Sequence, residues 1–145
     1  MNLTVFYSEI RDYVREHCHI PMAKPDITLS RLDDSSLNVK LALDHFLSPS
    51  VDIKVHVESC SDDEVLLSYD YPRIPIVGNI IDGLIAKFIE WLERWIPKGV
   101  DVYPNEKKIR LHLSKIEGVD KAMDYLKLKS VIFQTNDINI SLGLK

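Results

Sequence analysis

Cysteine is scarce in this chain. Only Cys18 and Cys60 occur among 145 residues, and they lie far apart. Such spacing does not make the disulfide framework of a small secreted protein, so a reducing compartment fits best. We also expect no signal peptide in this sequence, because Glu9, Arg11 and Asp12 stand where its apolar core would be. We therefore expect a cytoplasmic protein, with an envelope location left open if a leader was removed.

Positive charge is not in excess. The chain has 18 Lys and Arg residues against 22 Asp and Glu, which gives a formal net charge of -4 at pH 7. A mildly acidic chain has no field that attracts nucleic acid, so we expect no nucleic-acid partner.

A transmembrane run is also lacking. The most apolar stretch, Val77 to Trp95, carries five charged residues: Asp82, Lys87, Glu90, Glu93 and Arg94. Each charge at mid-bilayer depth costs at least about 2.5 kcal/mol on insertion scales. The stretch is not expected to span a membrane. Peripheral contact stays open, since tryptophans beside basic residues near a helix end suit a membrane interface.

Motifs for catalysis and metal binding are absent. The five glycines are scattered, and no nucleophile elbow, His-Glu-x-x-His or paired Cys-x-x-Cys occurs. His17, Cys18 and His19 are consecutive, so on a helix they point about 100° apart and converge poorly on one ion. We expect no enzyme, no catalytic residue, no metal and no cofactor. An enzyme would require His56, His112 and an acidic residue to meet in one pocket.

What the sequence does have is strict alternation of apolar and polar residues. The alternation recurs in eight segments that are joined in pairs by short runs of turn-forming residues. Their apolar positions include Ile27–Leu29, Leu37–Leu43, Val51–Val57, Val65–Tyr71, Val100–Val102, Ile109–Leu113, Leu126–Phe133 and Ile138–Leu144. The short connections predict four antiparallel hairpins, each with one buried face and one solvent-exposed face. Three consecutive apolar residues at 131–133 predict a bulge in one strand, or a strand covered on both faces.

Three segments have helical spacing: Leu3 to Cys18, Val77 to Trp95, and a short stretch from Val119 to Leu126. The middle one has an apolar arc about 180° wide, whereas a surface helix needs only about 100°. The sequence therefore predicts a single α+β domain, residues 1–145. In it a strongly curved antiparallel sheet of about eight strands wraps around the central helix Val77–Trp95, with the N-terminal helix packed outside.

Two candidate binding surfaces follow from this arrangement. The heavy residues of the central helix would line a groove for an apolar ligand: Ile81, Leu84, Phe88, Trp91 and Trp95. The alternative is that this stripe is ordinary packed core. A basic stripe would suit anionic lipid headgroups or an acidic partner: Lys108, Arg110, Lys127 and Lys129. The alternative there is a solvated strand face whose lysines discourage aggregation.

The order of elements also carries a resemblance. Strands come first, then the long apolar helix, then WIPKGVDVYPNEKKIRLHL and LKLKSVIFQTNDINISLGL. This order, over about the last two thirds of the chain, resembles tubular lipid-binding domains of the TULIP type, especially small bacterial members. The resemblance implies a curved sheet around a long helix, a bound lipid or other apolar molecule, and no catalysis.

Two hypotheses of function follow. The first is a non-enzymatic domain that binds a hydrophobic or lipid-like molecule between sheet and long helix. The second is a structural or protein-interaction domain with a filled core that self-associates, giving a homodimer.

Overall fold

The protein is mostly β-structure. The computed structural model describes residues 1–17, 25–43, 50–71 and 98–145, and strands make up 61% of these. In chain order the elements are β1 (Asn2–Phe6), α1 (Tyr7–His17), β2 (Pro25–Asp33), β3 (Ser36–Leu43), β4 (Val51–Ser61), β5 (Glu64–Asp70), β6 (Val100–Tyr103), β7 (Lys108–His112), β8 (Leu126–Phe133) and β9 (Asp137–Leu144). Two 3-10 helices, Leu113–Lys115 and Ala122–Asp124, lie between β7 and β8.

The predicted fold class is wrong. The strands form two sheets, one of six strands in the order β2-β3-β4-β5-β7-β6 and one of three in the order β1-β9-β8, instead of one sheet of about eight. Among the described residues α1 is the only helix of seven or more residues, so no long central helix is found there. The segment Val77 to Trp95 lies outside the described residues. The short helix expected at Val119–Leu126 is reduced to the 3-10 turn Ala122–Asp124.

The four hairpins themselves pair as the alternation predicts. The pairs are β2 with β3, β4 with β5, β6 with β7 and β8 with β9, all antiparallel. The register of β8 shifts between Leu128 and Ser130, so the strand does contain a bulge, one of the two expected features, but it lies before the three apolar residues. The bulge precedes residues 131–133, which alternate regularly: Phe133 is buried, whereas Ile132 is 40% exposed. The consecutive apolar residues therefore do not require both faces of β8 to be covered.

The N-terminal segment differs most from its prediction. Asn2–Phe6 is a strand paired with β9, and the helix begins only at Tyr7. Glu9 Oε1 accepts the Phe6 backbone N–H at 3.1 Å, which satisfies one free donor at the helix start in the manner of a capping box. Tyr7 and Val14 are buried, two turns apart on one side of α1, and they hold the helix against the sheets.

Backbone hydrogen bonds join the two sheets. The β8 residues Leu128 and Phe133 donate their N–H groups to the carbonyls of Asp62 (2.6 Å) and Asp34 (2.8 Å). These two acceptors lie in the turns of the β4–β5 and β2–β3 hairpins. The three-stranded sheet is thereby fixed across the ends of two hairpins of the six-stranded sheet, and the inner faces of both contribute to shared apolar clusters.

An ion pair between Arg15 and Asp26 ties α1 to β2. The Arg15 guanidinium lies 2.8 Å from Asp26 Oδ1, and its hydrogen bond is the main reason why the pKa of Asp26 is lowered. A lowered folded-state pKa gives stability that is present above the unfolded pKa and is lost as pH falls through the folded value. We expect Asp26→Asn to cost less than about 1 kcal/mol at pH 7, because both side chains are about half exposed.

Urea unfolding of Asp26→Asn and wild type at several pH values checks this expectation. The difference between the two proteins should shrink as pH falls below about 4, the ordinary range of Asp. Asp12→Asn is the control, because it removes an exposed carboxylate whose ion pair, with Arg11, lies within α1 and makes no link to β2. A difference that stays constant down to pH 2 would show that the ion pair does not link α1 to β2.

Candidate functional site

A cavity lies between the two sheets. It has a volume of about 390 Å³, and the surface that lines it is apolar throughout. The described lining residues come from α1, both sheets and the 3-10 turn after β7: Ile10, Leu29, Leu37, Val39, Ile53, Val55, Val65, Leu67, Tyr69, Ile109, Leu111, Leu113, Leu128, Val131, Phe133, Ile138 and Ile140. An engineered apolar cavity of about 150 Å³ already stays dry and binds benzene, so this one has room for a larger guest.

Cross-strand registry builds the wall on the six-stranded side. Residues opposite one another in antiparallel strands share a face, so matching odd-numbered positions form rows across the sheet. One row is Leu29–Val39–Ile53, and the next is Leu37–Val55–Tyr69. A shift of one residue in any pairing would send that strand's apolar set to the outside, which makes the wall a direct product of the registers.

Buried clusters support the cavity on two sides. Tyr7, Leu37 and Phe133 form one cluster, in which α1, β3 and β8 meet. Val65 packs with Leu128 and Leu142 in the other, where β5 meets the three-stranded sheet. Both clusters belong to hydrogen-bonded strands, and the volume of the cavity falls within the 300–1,000 Å³ that is typical of small-molecule sites.

Burial raises the pKa of three titratable groups in the cavity wall and in the clusters beside it. Tyr69 carries the one ionisable side chain among the described lining residues, and burial raises its pKa. Burial raises the pKa of Tyr7 as well, with Asp137 adding to the effect, and the Tyr7 hydroxyl donates to the Gln134 carbonyl at 2.5 Å. Burial also raises the pKa of the Cys60 thiol. These shifts all oppose ionisation, as burial does for any group that is charged only when deprotonated.

The polar side chains lie instead on the outer face of the six-stranded sheet. His56 Nδ1 is 2.9 Å from Ser36 Oγ, whereas His112 is placed between Asp101 (3.1 Å) and Glu64 (3.7 Å). The two histidines are on different strands and have different partners, so they do not meet in one pocket. Within the described part of the chain no three His, Cys, Asp or Glu residues are grouped so that they could hold a metal ion.

The four basic residues predicted as one stripe are divided between the sheets. Lys108 and Arg110 belong to β7 in the six-stranded sheet, and Lys127 and Lys129 belong to β8 in the three-stranded one. Arg110 Nε lies 2.8 Å from Glu64 Oε1 without the alignment of a hydrogen bond. The stem of Lys129 lies across Gly143. A role for these residues toward an anionic partner stays a prediction.

The five residues predicted to bind a ligand, Ile81, Leu84, Phe88, Trp91 and Trp95, lie outside the described residues. The lining residues of the strands were not proposed as a site, although the alternation at positions 53, 55, 65, 67, 109 and 111 is the signal that could have identified them. Periodicity indicates that those side chains face the interior, but it does not show whether they pack against other side chains or line a cavity.

Comparison of the chain with protein-family models, with curated proteins and with solved structures found no match. The resemblance to tubular lipid-binding domains is therefore neither supported nor contradicted by these comparisons. No helix within the described residues has the length and apolar character needed to cross a bilayer.

Proposed function

We propose that the protein binds a hydrophobic or lipid-like small molecule in the cavity between its two sheets. The observation that carries the proposal is the combination of about 390 Å³ of space with an entirely apolar lining. Protein interiors are normally packed to the density of organic crystals, with few voids larger than a water molecule. A void of this size lacks the contacts that a filled core would make, and an apolar guest would restore them.

The chemistry of the lining defines the class of ligand. No charged side chain is found among the described lining residues, and the one hydroxyl, on Tyr69, belongs to a side chain only 8% exposed. A buried charge without a partner is costly, so a charged headgroup would have to stay at the mouth while an acyl chain or ring system entered. The site therefore favours aliphatic or aromatic molecules over polar metabolites.

Extraction of natively purified protein with organic solvent, followed by mass spectrometry, tests the proposal directly. We expect an apolar molecule to co-purify in amounts approaching one per chain. Protein freed of it should bind N-phenyl-1-naphthylamine with a rise in fluorescence, and fatty acids of increasing length should displace the probe. Failure both to carry a molecule and to bind the probe would contradict the proposal.

A cavity-filling variant provides a second test. Val55 lies on the cavity wall, and Val55→Phe places a larger side chain in the space. We expect it to weaken probe binding by about tenfold or more, which corresponds to about 1.4 kcal/mol. Lys54→Phe adds the same ring on the exposed outer face of β4 and is the matched control.

The stability of Val55→Phe separates a hollow interior from a filled one. In a hollow interior the added ring gains contacts, so the ligand-free variant should be as stable as wild type or about 0.5–2 kcal/mol more stable. In a filled interior overpacking typically costs about 1–3 kcal/mol. A destabilised variant together with absent probe binding would favour the alternative, a structural domain with a filled core.

A further inference from the structure

Among the strands that the structure describes, the edge strand β1 lacks the features that usually protect a sheet edge. Its sequence, Asn2 to Phe6, contains neither a charged residue nor proline, the devices by which edges usually avoid pairing with other chains. The other three described edge strands have such protection. Pro25 and Asp26 lie in β2, Asp101 lies in β6, and β8 has two lysines besides its bonds to the hairpin turns.

The direction of the β1 backbone groups can be read from its two ends. Met1 exchanges two hydrogen bonds with Leu142, and Tyr7 N–H donates to the Asn136 carbonyl. Backbone groups alternate in direction along an antiparallel strand, so the odd positions point toward β9. The even positions, Asn2 and Thr4, point their N–H and C=O groups away from β9, where no described residue meets them.

Phe6 is the exception among the even positions. Glu9 Oε1 already accepts its N–H at 3.1 Å. A second strand added to this edge would therefore find two residues with both groups free, Asn2 and Thr4. That restriction selects one register.

We propose that two copies of this chain pair through β1, antiparallel and centred on Leu3, so that two three-stranded sheets join into one of six strands. In this register Asn2 faces Thr4 of the second copy, and the pair exchanges two hydrogen bonds. The two-fold axis repeats the pair, so four bonds use every free group on both edges. Centring on Thr4 instead would require the Phe6 N–H that Glu9 holds.

The side chains agree with this register. Leu3 and Val5 pair with Ile140 and Ile138 of β9, so they extend the apolar inner face of the three-stranded sheet. Met1 and Leu3 are nevertheless 67% and 46% exposed. Pairing would set Leu3 against Leu3 and Met1 against Val5 on the inner face, and Asn2 against Thr4 on the outer face. No like charges meet, and the exposed apolar side chains gain partners.

The size of the contact sets its strength. One short strand on each side buries less than the 1,200–2,000 Å² of a stable interface, so the dimer should be weak and concentration-dependent. We expect a dissociation constant between about 1 µM and about 1 mM. The proposal does not depend on a ligand in the cavity.

Sedimentation velocity over that concentration range tests the proposal with two variants at one position. Thr4→Pro removes an outward N–H but no bond to β9, and proline is tolerated on an edge in this orientation. It should raise the dissociation constant by about tenfold or more. Thr4→Val keeps the backbone donor and a β-branched side chain, so its dimer should match wild type.

Nuclear magnetic resonance of the wild type adds a measurement that needs no variant. With rising concentration the amides of Asn2 and Thr4 should shift and become protected from exchange, while those of Leu3 and Val5, already bonded to β9, should change much less. A protein that stays monomeric up to about 1 mM would overturn the proposal. So would a dimer that Thr4→Pro leaves intact, because it would use another surface.

Discussion

Replacing Leu41 with alanine is expected to lower the free energy of unfolding by about 2–5 kcal/mol. Leu41 has no exposed surface, and it pairs with Ile27 on one side and Val51 on the other. These residues belong to one buried cluster with Val14 of α1, so the substitution would leave a void that fixed neighbours on three strands and a helix cannot close. Urea denaturation should show a lower midpoint with an unchanged slope.

The matched control is Leu67→Ala on the cavity wall. The removed atoms are of the same kind, but part of the Leu67 side chain faces space instead of packed atoms. We expect a loss of about 2 kcal/mol or less, since fewer contacts disappear. Both variants are measured after any bound molecule has been extracted. Equal losses at the two positions would then mean that side chains fill the interior, which would contradict the proposed ligand cavity.

Gly99→Ala is expected to be the most damaging substitution in the turn before β6. Gly99 has φ of +113°, a conformation that residues with a Cβ rarely adopt, which alone costs about 1–3 kcal/mol. An added Cβ would also lie 2.7 Å from the His112 carbonyl oxygen and 2.9 Å from Ile116 Cγ1. The Gly99 carbonyl accepts the His112 N–H at 2.7 Å, so a shift of the backbone to relieve the contact would weaken the β6–β7 pair.

Gly118→Ala separates the cost of the positive φ from the cost of the close contact made by the added Cβ. Gly118 also has positive φ, +89°, but an added Cβ would meet no atom within 4 Å. It should therefore show only the conformational cost, and Gly99→Ala should lower the melting temperature several degrees further. Thermal unfolding followed by circular dichroism measures both. If the two variants melt together, the close contact at Gly99 has no energetic consequence.

Both pairs of variants test whether the wall of the cavity is rigid. Leu41 and Leu67 compare a packed part of the interior with the part that lines the cavity, and Gly99 concerns the end strand β6 of the six-stranded sheet that forms one wall. The function proposed for the protein requires a wall that holds its shape with nothing inside. Such rigidity comes from the hydrogen-bonded registers and from the clusters at either side, because apolar contacts across an empty space contribute little.

The strand predictions succeeded where local pattern and turn chemistry agree. At Val51 to Val57, alternation sets which side chains share a face, and the turn at Asp62–Asp63 brings Glu64–Asp70 back beside it. The consecutive apolar residues 131–133 indicated either a bulge or a strand covered on both faces, and a bulge lies nearby, at Leu128–Ser130. Such features depend on neighbours in sequence, so one sequence suffices to find them.

The N-terminal prediction failed because two periods overlap there. Leu3, Phe6 and Ile10 fit helical spacing, while Leu3 and Val5 alternate as in a strand. The competition was decided by β9, about 135 residues away, which pairs with Asn2–Phe6. Glu9 then serves as the helix cap that marks the boundary.

What the sequence by itself determined is the set of hairpins and the apolar face of each strand, because side-chain direction alternates with a period of two. Only the tertiary structure decided that these hairpins divide into two sheets, since bonds such as Phe133 to Asp34 join residues remote in sequence. It also decided that part of the shared apolar interior is a cavity. Periodicity shows which face of a strand is covered. The volume between two covered faces depends on the distance between the sheets, which is set by contacts between residues remote in sequence.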